Sequence, residues 1–257
     1  MNAAGAGRSL RLSVGMLTAL RVPPVLRVTP GTATGALVLA PLAVLPLGAL
    51  VGVACWLGTR LDLPSLAVAF AALGLLAMGS RALHLDGLSD VADGLTASYD
   101  RERSLAVMKG GAAGPAGVVA VVVVLGTQAA GLSGLVGSAG LRECVFAGAA
   151  VCASRASLWI TCCSLVPPAR EDGLGLTFTR RVPVAAAAFG WLGVAGLATL
   201  LDPVAGPVTV GVAGLVVVLL VWRAVRRFGG VTGDVFGAAI ELALAVLLVG
   251  IAVSVGA

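Results

Sequence analysis

Long apolar runs recur from one end of the chain to the other, and the charged positions fall between them. Seven runs stand out, at 35–56, 63–79, 113–137, 145–166, 184–201, 204–222 and 237–255. Each approaches the ~20 residues that a helix needs to cross a bilayer's hydrocarbon core. Backbone N–H and C=O groups find no water there, so a spanning segment must be a helix or a strand of a closed barrel. Runs of this length without strict alternation predict helices. The expectation is an all-α, polytopic membrane protein with about seven transmembrane helices.

Ahead of the first run, residues 8–27 mix apolar positions with Arg8, Arg11 and Arg21. That pattern predicts an amphipathic helix on the membrane surface, ended by Pro23 and Pro24; a solvated basic tail is the alternative. No cleavable signal is expected, because the first long apolar run begins near Thr34, after a basic segment with proline. Without an internal repeat or a long linker, residues 1–257 read as one integral-membrane domain, with 1–34 as a basic N-terminal segment.

Composition agrees with the pattern. The chain is 59% hydrophobic and only 11% charged, with a mean hydropathy of +1.06; a soluble domain is about a quarter charged. The net charge of +5 comes from arginine with a single lysine. No basic run is interleaved with aromatics, so nucleic acid is not an expected partner.

The charges set an orientation instead. With the N-terminus in the cytoplasm, the four cytoplasmic segments carry Arg8, Arg11, Arg21 and Arg27; Arg81, Arg101, Arg103 and Lys109; Arg170, Arg180 and Arg181; and Arg223, Arg226 and Arg227. The outer segments carry only Arg60 and Arg142, and Arg155 lies within a run. Fourteen basic residues against two is the positive-inside bias of a cell-membrane protein. Eight of the acidic residues fall on the cytoplasmic side, five of them in the segment 81–112, which reads as the longest loop.

The five cysteines form no C-x-x-C pair, and one histidine is too few for an ordinary zinc site. They read as small packing residues.

The chemistry concentrates in "HLDGLSDVADG", 84–94. Asp86, Asp90 and Asp93 are spaced i, i+4 and i+7, which puts them on one face if the segment is helical. Three close carboxylates repel one another, and a hard divalent cation such as Mg²⁺ or Mn²⁺ relieves that repulsion. Gly87 and Gly94 leave room for a phosphate or sugar. The sharp reading is a metal-assisted site for a phosphate-bearing substrate; the bland one is a solvated acidic loop. His84 is a candidate general base or substrate contact, or a hydrogen-bonded structural residue. Arg101, Arg103 and Lys109 are candidates to neutralise a diphosphate, or to anchor the chain at the headgroups. The glycine-rich 110–117 that follows resembles a phosphate-binding helix entry, but lacks a G-K-[ST] sequence. Arg155 inside a run calls for a carboxylate or phosphate partner. Thr232, Asp234 and Glu241 in "GGVTGDVFGAAIEL", 229–242, are further oxygen donors on the same membrane side. Two acidic, glycine-rich elements on one side suggest one shared site.

Three segments, "HLDGLSDVADGL" (84–95), "DRERSLAVMK" (100–109) and "GGVTGDVFGAAIEL" (229–242), together resemble the motifs of the cobalamin synthase family. Its members are adenosylcobinamide-GDP ribazoletransferases, also called cobalamin-5′-phosphate synthases. Weaker likenesses are "LTALRVPP" (17–24), the Ser154–Arg155 pair and "AREDGLG" (169–175). The resemblance implies a Mg²⁺-dependent multi-pass phosphotransferase of late vitamin B12 assembly. It would move adenosylcobinamide phosphate from its GDP ester to α-ribazole or α-ribazole 5′-phosphate and release GMP. It implies Asp86, Asp90 and Asp93 as metal ligands, with Asp86, Asp90 or His84 in proton transfer. Arg101, Arg103, Lys109, Arg155, Thr232, Asp234 and Glu241 would contact substrate. The partners implied are these small molecules and the lipid bilayer; a homo-oligomer, or association with other cobalamin-assembly enzymes, is left open. One departure stands out: members carry Asp-Ser-Arg after the Met-Lys/Arg pair, where this chain has Gly110, Gly111 and Ala112.

Two other classes compete. CDP-alcohol phosphotransferases share aspartates beside glycine, but their D-G-x-x-A-R is not matched after Asp86-Gly87. A transporter would spread polar groups along the midplane of several spans, whereas the acids here gather at one face.

Overall fold

The computed structural model describes residues 3–138 and 140–256. Its elements in chain order are α1 (Ala3–Leu17), α2 (Pro30–Val38), α3 (Ala40–Ala43), α4 (Leu45–Arg60), α5 (Ser65–Gly79), α6 (Leu83–Ala97), α7 (Arg101–Met108), α8 (Pro115–Gly137), α9 (Leu141–Ser154), α10 (Ser157–Thr161), α11 (Gly173–Phe178), α12 (Val184–Ala198), α13 (Ala205–Phe228) and α14 (Gly233–Gly256). No strand occurs among the described residues, only isolated bridges of Cys163 with Val182 and Pro168 with Val231. The fold is all-α, as expected.

The seven apolar runs become helical, but not as seven full spans. Four segments are long and apolar enough to cross alone: α8, α9 with α10, α13 and α14. The α5–α6 pair makes a fifth only if it is taken as one broken span, for it bends by 92°. α4 and α12 are apolar but shorter. The run 35–56 is divided between α2, α3 and α4, because Pro41 and Pro46 each open a new helix near its first position. Proline lacks the N–H needed inside a helix and clashes with the carbonyl four residues back. At the α5–α6 bend, Arg81 and Ala82 both take left-handed φ values, 57° and 53°.

Two further expectations are corrected. Residues 81–112 are not a loop; they hold α6 and α7. The N-terminal helix stops at Leu17, well before Pro23. It buries Ser9, Ser13 and Leu17. Its end is tied to the bend by Ala19 N–H donating to the Gly79 carbonyl (2.6 Å) and Arg81 Nη2 donating to the Gly15 carbonyl (2.9 Å).

α14 is the hub, packed against α6, α8, α9, α10 and α13. Ala238, Ala239, Ala243 and Leu244 are fully buried. Lipid tails are as apolar as leucine, so close packing rather than water exclusion joins such helices, and small residues allow it. A Cβ on Gly48 of α4 would lie 2.6 Å from the Gly148 carbonyl oxygen of α9, and one on Gly131 of α8 would lie 2.7 Å from the backbone of Leu248. At both crossings only glycine fits.

The bundle has two distinct ends. Arg142 Nη2 donates to the carbonyls of Leu200 (3.0 Å) and Leu201 (2.9 Å), joining the α8–α9 and α12–α13 turns. At the other end, Arg101 Nη2 donates to the Ala169 carbonyl (2.9 Å) and Arg170 Nη2 to the Leu105 carbonyl (2.7 Å). That second end gathers α6, α7 and the N-termini of α8 and α14.

Candidate active site

Two glycines bring the acidic motifs together. A Cβ on Gly87 of α6 would lie 2.7 Å from the Asp234 carbonyl oxygen, and a Cβ on Gly237 of α14 would lie 2.9 Å from the Cα of His84. The backbone of α6 therefore rests directly on the first turns of α14. Asp86 and Asp234, distant in sequence, become neighbours whose charges act on one another. Thr232 is buried and donates its hydroxyl to Asp234 Oδ2 (3.0 Å), which fixes the carboxylate.

The three aspartates of α6 differ. Asp86 is exposed and Asp90 is half-buried. Burial, then Asp234, Asp86 and Asp93, push the Asp90 carboxyl up from 3.8 to about 6, and Arg170 opposes them. Asp93 is buried and turned elsewhere: its Oδ2 accepts from Gly114 N–H (2.6 Å) and its Oδ1 from Gly117 N–H (2.9 Å). These are N–H groups of the first turn of α8, which have no intrahelical partner. Asp93 caps that helix from a distance, and its charge favours the N-terminal dipole. The glycine-rich entry expected to cradle phosphate thus gives two of its N–H groups to a protein carboxylate. Among the described residues, no three His, Cys, Asp or Glu side chains are close enough together to hold a metal on their own.

Arg170, in "AREDGLG" (169–175), carries no sequence signal of its own as a site residue. It is the positive charge that acts on both Asp90 and Asp234. Its place is set by backbone pairing: Ala169 N–H donates to the Val231 carbonyl and Val231 N–H to the Pro167 carbonyl, each at 3.0 Å. A cleft of about 210 Å³ lies here, lined by Arg170, Asp172, Thr232, Gly233 and Asp234 among others. Two of the basic residues expected to contact diphosphate bond to the segment that carries Arg170 and Asp172. Arg101 holds the Ala169 carbonyl, and Lys109 Nζ pairs with Asp172 Oδ2 at 3.1 Å. Arg103 is exposed, and its N–H donates to Asp100 Oδ1 at 2.7 Å, the cap of α7.

His84, Arg155 and Glu241 form a second, interior group. All three are buried. Glu241 Oε2 accepts from Gln128 Nε2 at 2.8 Å, and His84 Nδ1 lies 3.7 Å from Glu241 Oε1. Arg155 caps α9, and its Nη1 donates to the Val151 carbonyl and to Ser154 Oγ, both at 2.9 Å. Its charge and that of Glu241 act on one another. The carboxylate nearest in effect to Arg155 is that of Glu241 on α14, but no ion pair joins them among the described residues, and Arg155 Nε and Nη2 have no hydrogen-bond partner there. Gln128, which sequence reading passed over, completes the group.

These features define a class: a polytopic all-α membrane protein with carboxylates from two helices and one arginine converging at one end of the bundle. Comparison with known proteins makes it particular. The profile described as Cobalamin-5-phosphate synthase matches residues 9–252, and the chain belongs to that family. It is 55% identical over 238 residues to the adenosylcobinamide-GDP ribazoletransferase of Nocardioides sp. (strain JS614), covering 93% of this chain and 95% of the relative. It is 36% identical over 249 residues to the protein of the same name from Pseudomonas aeruginosa (strain PAO1), covering 95% and 98%. No solved structure matches.

Proposed function

We propose that this chain is an adenosylcobinamide-GDP ribazoletransferase. In this reaction a ribose hydroxyl of α-ribazole or its 5′-phosphate attacks the phosphorus that bears the cobinamide. A new P–O bond forms, the diphosphate P–O bond breaks, and GMP leaves. The observation that carries the reading is the contact of Gly87 with Asp234, 147 residues apart, which makes one site of two motifs.

Transfer at phosphorus depends on placement and charge neutralisation more than on covalent help. Asp86 and Asp234, with Asp90 beside them, would hold Mg²⁺ only together with the substrate's phosphates, since one or two carboxylates plus phosphates suit that ion. When bound, it supplies positive charge to the diphosphate. The mutual repulsion of these carboxylates, opposed by Arg170 and at Asp234 also by the Thr232 hydroxyl, fits such a cation. Arg170 would contact a phosphate of the nucleotide in the cleft beside it. Thr232 keeps Asp234 oriented, and Asp93 keeps α8 seated on α6. His84 faces Glu241 inside the bundle, so Asp90 is the better placed group to take the acceptor hydroxyl's proton. The charge bias supports an inner-membrane protein with this end in the cytoplasm.

The test supplies adenosylcobinamide-GDP, α-ribazole and Mg²⁺ to the purified protein in liposomes and follows GMP. Wild type should release GMP with the metal and not with EDTA, and Asp86→Asn should be nearly inactive. A well-folded wild type that releases no GMP sinks the reading.

A further inference from the structure

On the flank of the bundle, away from the acidic site, lies an apolar groove of about 790 Å³. α4 and α9 form one wall, α12 and α13 the other, and Leu247 and Ile251 of α14 the floor. It exists because α12 stands off from the bundle: Ala187 is its one buried residue. The lining of α4 runs from Leu45 to Trp56. At 1.5 Å per residue that is about 17 Å of helix, close to half of a ~30 Å hydrocarbon core. One leaflet's acyl chain has that reach.

The mouth of the groove is charged. The Arg60 guanidinium lies 5.7 Å from the Trp56 ring centre and that of Arg142 lies 5.1 Å from Phe146, and both rings line the groove. Arg60 and Arg142 are the two basic residues that depart from the one-sided distribution of the other fourteen. Both exceptions stand at the same opening. Of the carboxylates at this end, Asp202 is occupied by the Val204 and Ala205 N–H groups at 2.8 and 2.6 Å. Asp62 and Glu143 are the others there.

We propose that this groove is a phospholipid site, with an acyl chain along α4 and α9 and the headgroup phosphate at Arg60 and Arg142. Phosphate is the shared chemistry of the common bilayer lipids. Asp62 and Glu143 additionally suit the ammonium of a zwitterionic headgroup. The site is independent of the catalytic reading, since none of its residues touches the acidic end.

The test titrates delipidated protein in detergent with dioleoyl phosphatidylglycerol or dioleoyl phosphatidylethanolamine and reads bound lipid by native mass spectrometry. One lipid per chain should remain bound. Arg60→Gln should weaken it by about fivefold, the worth of one arginine at a lipid surface; Arg142 is kept, because its Nη2 holds the Leu200 and Leu201 carbonyls. Ala149→Phe, which fills the groove without touching the arginines, should remove it while the melting temperature holds. Tighter binding of either headgroup identifies the source and supports the site. Retention unaffected by both changes, no retained lipid, or a second copy of the chain displacing lipid from the groove would overturn it.

Discussion

Arg155 is fully buried among apolar helices, its charge and that of Glu241 act on one another, and its Nε and Nη2 have no hydrogen-bond partner among the described residues. Removing one member of a buried pair strands the other. Arg155→Met should therefore change the stability of the protein, and adding Glu241→Gln should offset part of the change if the two charges are coupled. A double-mutant cycle of unfolding in detergent measures this; additive changes would mean that the two charges are not coupled. Asp90 makes a prediction with a pH sign. Its folded pKa, about 6, is raised above the ordinary 3.8, so the native state disfavours its ionised form. In metal-free protein the resulting penalty is absent below about pH 4, grows as pH rises towards 6, and is full above that. Asp90→Asn should thus raise the melting temperature near pH 7.5 and leave it unchanged near pH 4. A gain that is largest at low pH would contradict the assignment.

At the scale of elements, α6 is held from two sides, by α14 through Gly87 and Gly237 and by α8 through Asp93. Asp93→Asn should cost about 1–2 kcal/mol, the worth of a charged helix cap. It should leave Mn²⁺ affinity within about twofold of wild type, whereas loss of a true ligand costs tenfold or more. An affinity loss equal to that of Asp86→Asn would make Asp93 a ligand after all. The long apolar helices were legible in the sequence because α8, α13 and α14 are uninterrupted. The first run departs from one helix because Pro41 and Pro46 restart it, which hydropathy does not register. The spacing of the three aspartates was legible, but not their division of labour. The N–H groups that claim Asp93 lie 21 and 24 residues away, beyond any local pattern. Arg170 was hidden for the same reason: backbone pairing with Val231 brings it to Asp234.

At the scale of the whole molecule, the fold sorts charge by end. Arg101, Lys109 and Arg170 stand at the acidic site's end, and Arg142 at the other. The proposed orientation follows, and it can be read from outside. On intact cells a membrane-impermeant maleimide should label Ser138→Cys and leave Glu102→Cys unlabelled until the membrane is opened; the reverse pattern would invert the topology.

The central claim is that α6 and α14 build one cation and diphosphate site between them. The most direct measurement is Mn²⁺ binding by electron paramagnetic resonance, with and without adenosylcobinamide-GDP, for wild type, Asp86→Asn and Asp234→Asn. The account predicts that substrate tightens Mn²⁺ binding in wild type and that either substitution abolishes the gain. If Asp234→Asn binds as wild type does while Asp86→Asn fails, the two motifs do not share a site, and the claim is contradicted.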